Sequence, residues 1–221
     1  MITKERLLEL EKEIRVWNGD NSLEIPEDFF KDSYYFPSGW CCVEFYKEPN
    51  IDKGWVNQNG EYLKINGKTK FFNVGDFNNG VAWVQIGSKY TFIKPDGTDL
   101  YTGKIPTEKT CKFNGCDDFS NGYAWVKIGS KYTFIKPNVT DLYTGKIPIK
   151  DTCKFDMCYD FSNGLAWVKI GSSEYYINIL GFRFNTNDQA TALELNKEFL
   201  KILNKDFPEN SMKHYLLEKF L

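Results

Sequence analysis

Apolar and polar residues alternate with a period of two through the middle of this chain and with a helical period at both ends. Tyr123 to Ile128 and Lys131 to Lys136 each alternate. Gly129-Ser130 between them suits a two-residue type II′ turn, because glycine accepts the positive φ required at the first position. The resulting hairpin pairs Ile128 with Lys131, Lys127 with Tyr132, Val126 with Thr133, Trp125 with Phe134 and Ala124 with Ile135. Trp125, Lys127, Tyr132 and Phe134 then share one face, and Ala124, Val126, Ile128, Thr133 and Ile135 the other. Both faces carry apolar side chains, so such a hairpin requires neighbours on both sides. The same pattern predicts strands at 81–86 and 89–94, and at 165–170 and 174–178.

The ends read differently. Leu7, Leu10, Ile14 and Trp17 recur at spacings of three and four, which predicts a helix over 3–17 capped by Thr3. Pro26 sits in the first turn of a short second helix beginning at Ile25. Leu193, Leu195, Phe199, Leu200, Ile202 and Leu203 predict a helix capped by Asn187 or Asp188, and Met212, Tyr215, Leu216 and Phe220 a further packed face after Pro208. These helices are expected to cover the open ends of a β-array.

The hairpins belong to a repeat of 42 residues. Asp118-Phe119-Ser120-Asn121-Gly122-Tyr123-Ala124-Trp125-Val126 matches Asp76-Phe77-Asn78-Asn79-Gly80-Val81-Ala82-Trp83-Val84 and Asp160-Phe161-Ser162-Asn163-Gly164-Leu165-Ala166-Trp167-Val168. A degenerate first unit aligns Phe36 to Val43 with Phe77 to Val84, and Gly54 to Gly60 with Thr91 to Gly97. The expectation is a mainly β protein of about four antiparallel hairpin repeats, with residues 1–33 a helical segment, 34–184 the array and 185–221 a second helical segment. An open array is preferred; a four-bladed propeller is the alternative for this period.

The ordered pattern Phe-x-x-Gly-x-Ala-x-Val, then Lys-Tyr-x-Phe-Ile and a Pro-Asp-Gly turn, resembles the WG-type β-repeats of bacterial and phage proteins over roughly residues 36–180. The Trp-Gly dipeptide of that family is replaced by Tyr90-Thr91 and Tyr132-Thr133 in the two best repeats. The resemblance implies a scaffold with a binding surface, and no catalytic motif comes with it.

Composition narrows the function classes. The 18 Phe and 13 Tyr in 221 residues favour strands, and a net charge of -2 with no long basic run disfavours a nucleic-acid partner. The charged N-terminal stretch lacks the apolar region of a signal peptide, and no apolar run approaches the ~18 residues that span a membrane, so a cytoplasmic location is expected. Cys111 and Cys116 become Thr69 and Val74 one repeat earlier, which reads them, with Cys153 and Cys158, as small buried hydrophobes rather than zinc ligands. Cys41 and Cys42 are neighbours and face opposite sides of a strand. His214 stands alone, and Asp76, Asp118 and Asp160 are expected to bond their own loop backbone. No phosphate loop, dinucleotide fingerprint or nucleophile elbow is present. The reading is therefore a non-enzymatic binding protein with no cofactor and no metal.

A protein partner is expected, with an inhibitor, immunity or anti-defence role in a phage or mobile element as the fuller expectation. The alternative is a glycan-binding module in which Trp83, Trp125 and Trp167, with Tyr90 and Tyr132, line a repeated site instead of the core. Near-identical units cannot orient a single partner, so the anchors are sought where repeat symmetry breaks: Tyr34, Tyr35, Trp40, Tyr46 and Trp55 in the first unit, and Tyr175, Tyr176, Phe182 and Arg183 in the last.

Overall fold

The computed structural model describes residues 2–17, 22–26, 29–31, 35–45 and 52–206. They form four small antiparallel sheets with a helix near each end, and no sheet closes into a barrel. The chain divides into two compact units, residues 1–118 with 137–139, and residues 119–136 with 140–221.

The first unit opens with α1 (Lys4–Glu13), capped by the Thr3 side chain, which accepts the Arg6 N–H at 3.2 Å. The predicted helix stops four residues early. Ile14–Trp17 is instead a strand, β1, because its residues pair with β2 (Ser22–Leu23) and with β3 (Cys41–Phe45). β-branched Ile14 and Val16 suit that state, and a ladder partner outweighs weak helical propensity. β4 (Asp52–Val56) completes the sheet. Cys42 pairs with Trp55 here as Trp83 pairs with Phe92 in the next repeat, so the degenerate unit keeps the pairing of the others. Cys41 and Cys42 point into two different core clusters, as alternation requires. Glu27 and Asp28 of the expected second helix lie outside the described residues; residues 29–31 form a turn, and the Phe29 N–H donates to the Pro26 carbonyl at 3.0 Å. β5 (Ala82–Ile86), β6 (Lys89–Ile93) and β7 (Gly115–Cys116) follow.

The second unit holds β8 (Ala124–Ile128) with β9 (Lys131–Ile135), then β10 (Met157–Cys158), β11 (Leu165–Ile170), β12 (Ser173–Asn178) and β13 (Arg183–Phe184) in sheet order β10-β11-β12-β13. All five predicted β8–β9 pairs are present. Gly87, Gly129 and Gly171 begin the hairpin turns at φ of 63°, 66° and 59°, the left-handed region a type II′ turn demands. α2 (Gln189–Asp206) starts at Asp188, whose carboxylate accepts the Thr191 N–H at 2.8 Å, and Ala192, Leu193 and Phe199 pack over Leu165, Tyr176 and Phe184. The expected helix after Pro208, with Met212, His214, Tyr215, Leu216 and Phe220, lies outside the described residues.

One buried carboxylate locks the turn after each of the β5–β6 and β8–β9 hairpins. Asp99 is fully buried and accepts the Thr91 hydroxyl and the N–H groups of Tyr101 and Thr102, at 2.9 and 2.7 Å for the last two. Asp141 does the same for Thr133, Tyr143 and Thr144. A buried carboxylate is tolerated only with its oxygens satisfied in this way.

Candidate functional site

The nine anchors expected from sequence separate into different environments. Tyr34 and Tyr46 lie outside the described residues. Tyr35 is half-buried against Phe29, and Trp40 half-buried against the second core cluster. Trp55 is a correction. It is fully buried, its indole donates to the Gly75 carbonyl at 2.9 Å, and its ring meets Phe71 and Phe77. Repeat alignment explains this, since Trp55 occupies the position of the buried Phe92 and Phe134.

Tyr175 is the second correction. It is 5% exposed and lies beneath the Arg183 guanidinium, 3.7 Å from the ring centroid. Counted by 42, Tyr175 replaces Thr91 and Thr133, and Arg183 replaces Asp99 and Asp141. The last repeat therefore swaps a hydrogen-bonded pair for a cation–π pair at the same place, and both changes serve packing. Arg183 itself remains exposed. Tyr176 is half-buried beneath α2, and Phe182 stacks on Phe199 at 4.5 Å while staying 48% exposed.

The least repeat-like surface lies elsewhere, in the first unit. A groove of about 410 Å³ is lined by Ile65, Lys68, Lys70, Phe71 and Phe72 together with Gln85, Ile86, Gly87 and Glu108. Asn66-Gly67 makes a tight turn at its end, both residues having positive φ, and the Asn66 amide ties that turn to the Pro106 carbonyl at 2.7 Å. Exposure then alternates, so Lys68, Lys70 and Phe72 face out while Phe71 is buried.

Phe72 is 70% exposed, the most exposed large apolar side chain among the described residues. Its equivalents are Asn114 and Asp156. Asp156 has structural work: it accepts the Gly171 N–H at 2.7 Å and pairs with Lys131 at 2.5 Å. The Gly87-Ser88 turn is held instead by Glu108, which accepts both the N–H and the hydroxyl of Ser88. These bonds hold the Glu108 carboxyl below the usual range. Phe72 is thus released from the turn and left in solvent. Sequence reasoning missed it by looking for divergence in whole end units; the signal was a single aromatic at a position that is polar in the other repeats.

The repeated tryptophans do not form equivalent sites. Trp83 is buried, while Trp125 and Trp167 are half-buried. The residue beside each in the aligned repeats is Gly75, Asp117 and Tyr159, so the three surroundings differ. Tyr90 meets Trp83 at a tilt at 5.8 Å and Tyr132 meets Trp125 edge-on at 5.5 Å, whereas Tyr159, 62% exposed, stacks on Trp167 at 5.0 Å.

Gly75 makes room for an acidic clip. A β-carbon there would collide with both Asp118 Oδ1 and Trp83 Nε1, two buried atoms that the glycine lets come together. Asp118 reaches back one repeat to accept the backbone N–H of Asp76, rather than bonding its own loop. Burial first, then the nearby Asp76 and Asp117 carboxylates, raise Asp118 to about 7. Asp76 is raised by burial and partly relieved by Lys53.

All six cysteines are buried and unpaired. Burial pushes the Cys41 and Cys111 thiols up to about 12 and Cys153 to about 11, with Cys42, Cys116 and Cys158 also raised. Such thiols are poor nucleophiles and poor metal ligands. Among the described residues no three His, Cys, Asp or Glu side chains converge as metal ligands, and no helix is long and apolar enough to cross a membrane.

Hairpins in fixed register, a shared turn chemistry and a 42-residue period define a β-repeat protein. The family model of the WG containing repeat matches residues 69–90, 110–132 and 152–172, and the chain is a WG-type β-repeat protein. Comparison with the curated proteins finds no match. Among solved structures, a 2S albumin seed protein from Dolichos is 13% identical, with 69% of this chain and 85% of that chain covered at a TM-score of 0.28. The hemopexin fold protein CP4 from cow pea is 11% identical, with 71% and 92% covered at 0.27. Likenesses at these TM-scores carry no argument about this chain.

Proposed function

We propose that this WG-repeat protein works by binding another protein rather than by catalysis, as a cytoplasmic inhibitor, immunity or anti-defence protein of a phage or mobile element. The observation that carries the binding reading is Phe72, a large ring exposed beside a groove at a position that is polar in the other repeats. Exposed aromatic side chains beside pockets are where interface energy concentrates. A protein partner recognises one unique surface, and Phe72 has polar counterparts, Asn114 and Asp156, in the aligned repeats, whereas the repeated indoles are wholly or partly taken into packing.

The test is affinity capture from the source cell and from its host, with the wild-type chain and with Phe72→Ala compared side by side. A partner retained by wild type, lost by about tenfold or more in Phe72→Ala, and unaffected by Lys131→Ala supports the reading. Loss on changing Phe182 or Arg183 but not Phe72 would move the site to the last repeat. A glycan-binding reading rests on the Tyr159–Trp167 stack. It replaces the protein-binding reading if a glycan array gives hits that Tyr159→Ala abolishes.

A further inference from the structure

We infer that the groove receives an extended acidic segment of the partner, with an apolar side chain seated against Phe72 and Ile86 and carboxylates directed to Lys68 and Lys70. This rests on the protein-binding reading and adds the chemistry of what is bound.

Charge supplies the first argument. Lys68 and Lys70 are exposed in the groove lining, and no ion pair among the described residues engages either of them. The Lys70 ammonium lies over the Phe45 ring, 4.4 Å from its centroid, and no carboxylate of the described residues pairs with it. Glu108 also lines the groove and keeps its charge, but its carboxylate is hydrogen-bonded to the Ser88 turn and forms no ion pair with either lysine, so the two cations outnumber it. The groove therefore presents two cations in a chain whose net charge is -2.

Spacing supplies the second. Lys68, Lys70 and Phe72 occupy alternate positions and face the same way. Alternate residues of an extended chain lie about 6.6–6.8 Å apart. A bound extended segment also exposes alternate side chains on one side, so its acidic and apolar groups can meet the two lysines and Phe72.

Gln85 supplies the third. It lines the groove, its amide nitrogen donates to the Gly87 carbonyl at 3.0 Å, and its buried Oε1 has no donor. The other repeats carry Lys127 and Lys169 here, which cannot accept a hydrogen bond. Where the aligned repeats place a lysine this groove has a neutral side chain, so the cations lining it are Lys68 and Lys70.

The probe is a short fluorescein-labelled peptide alternating Glu with Phe and Leu, read by fluorescence anisotropy, beside a counterpart with Lys for Glu. The acidic peptide should bind saturably and weaken several-fold between low and high salt, as screening of about two ion pairs requires. Lys68→Glu together with Lys70→Glu should weaken it by about tenfold or more and make the lysine peptide the better ligand. Lys68→Glu alone, which disturbs no contact to Phe45, should give a smaller change in the same direction. Equal binding of the two peptides, no saturable binding of the acidic one at about 1 mM, or indifference to Lys68→Glu overturns the inference. So does an oligothymidylate that binds saturably and competes at Lys68, which would point to single-stranded nucleic acid. If capture of a cellular partner still depends on Phe72 while these peptide tests fail, the inference falls and the protein-binding reading stands.

Discussion

Replacing Asp118 with Asn should change how stability depends on pH while leaving the fold intact. Asp118 titrates at about 7 in the folded chain because burial and the neighbouring Asp76 and Asp117 carboxylates oppose its ionisation. In the unfolded chain it returns to the ordinary value of about 3.9. Between those values the folded chain holds a proton that the unfolded chain has released. Stability contributed by this group is therefore fully present below about 4 and is lost as pH rises through about 7. At about 1.4 kcal/mol per tenfold change in proton affinity, the upper limit of the loss is roughly 4 kcal/mol. The carboxyl is only partly buried, so solvent screening brings the expected figure to about 2 kcal/mol. Asn is neutral throughout and keeps an oxygen for the Asp76 N–H. At pH 8, Asp118→Asn should thus be more stable than wild type by about 2 kcal/mol, and near pH 4 the two should agree within about 0.5 kcal/mol. Urea denaturation midpoints from pH 4.5 to 8.5 read this directly, because other titrating groups are common to both chains. The carboxyls held low, Asp96, Glu108, Asp156, Asp188 and Glu194, contribute stability that is lost only as pH falls below about 4, outside this window. A stability difference that stays flat from pH 5 to 8, or an Asn variant less stable than wild type at pH 8, would refute the reasoning.

Gly75→Ala should cost about 1–3 kcal/mol in denaturant unfolding, since the added methyl overlaps Asp118 and Trp83; a neutral outcome would mean the acidic clip moves freely. Asp141→Ala should cost about 3 kcal/mol or more by stranding the Tyr143 and Thr144 N–H groups and the Thr133 hydroxyl, whereas Thr133→Val should cost about 1 kcal/mol. Equal losses from the two would show that the carboxylate does not hold the turn. Trp55→Ala should lower stability by about 3–5 kcal/mol and Phe72→Ala by less than about 0.5 kcal/mol, measured from the same midpoints. At pH 8 a thiol reagent should leave the six cysteines of the native chain essentially unmodified and react with all of them in denaturant; fast labelling of Cys41 or Cys111 in the native chain would contradict their burial.

What was legible from sequence was local. The Gly-Ser turns set hairpin register within a few residues of themselves, so strand positions and the Trp125–Phe134 pairing followed from the pattern alone. Thr3 and Asp188 were readable as caps for the same reason. The 42-residue comparison placed Cys111, Cys116, Cys153 and Cys158 among the small buried residues, and the alignment of the degenerate unit would also have placed Trp55 in the core, because it sets Trp55 against Phe92 and Phe134.

Tertiary structure decided whatever depends on partners distant in the chain. Ile14–Trp17 keeps a helical spacing, yet becomes a strand because β3, some thirty residues later, offers a ladder. Both faces of each hairpin are apolar, so alternation could not say that Trp83 would be buried while Trp125 stayed half-exposed. Asp118 was expected to bond its own loop and instead clips the preceding repeat. The groove joins residues 65–72, 85–87 and 107–108, and its character turns on the exchange of one task between Asp156 and Glu108. Sequence order determines which residues alternate and where the chain reverses, because those are short-range consequences of backbone geometry. Which aromatic is core and which is left for a partner depends on packing between segments, and only the folded chain brings those segments together.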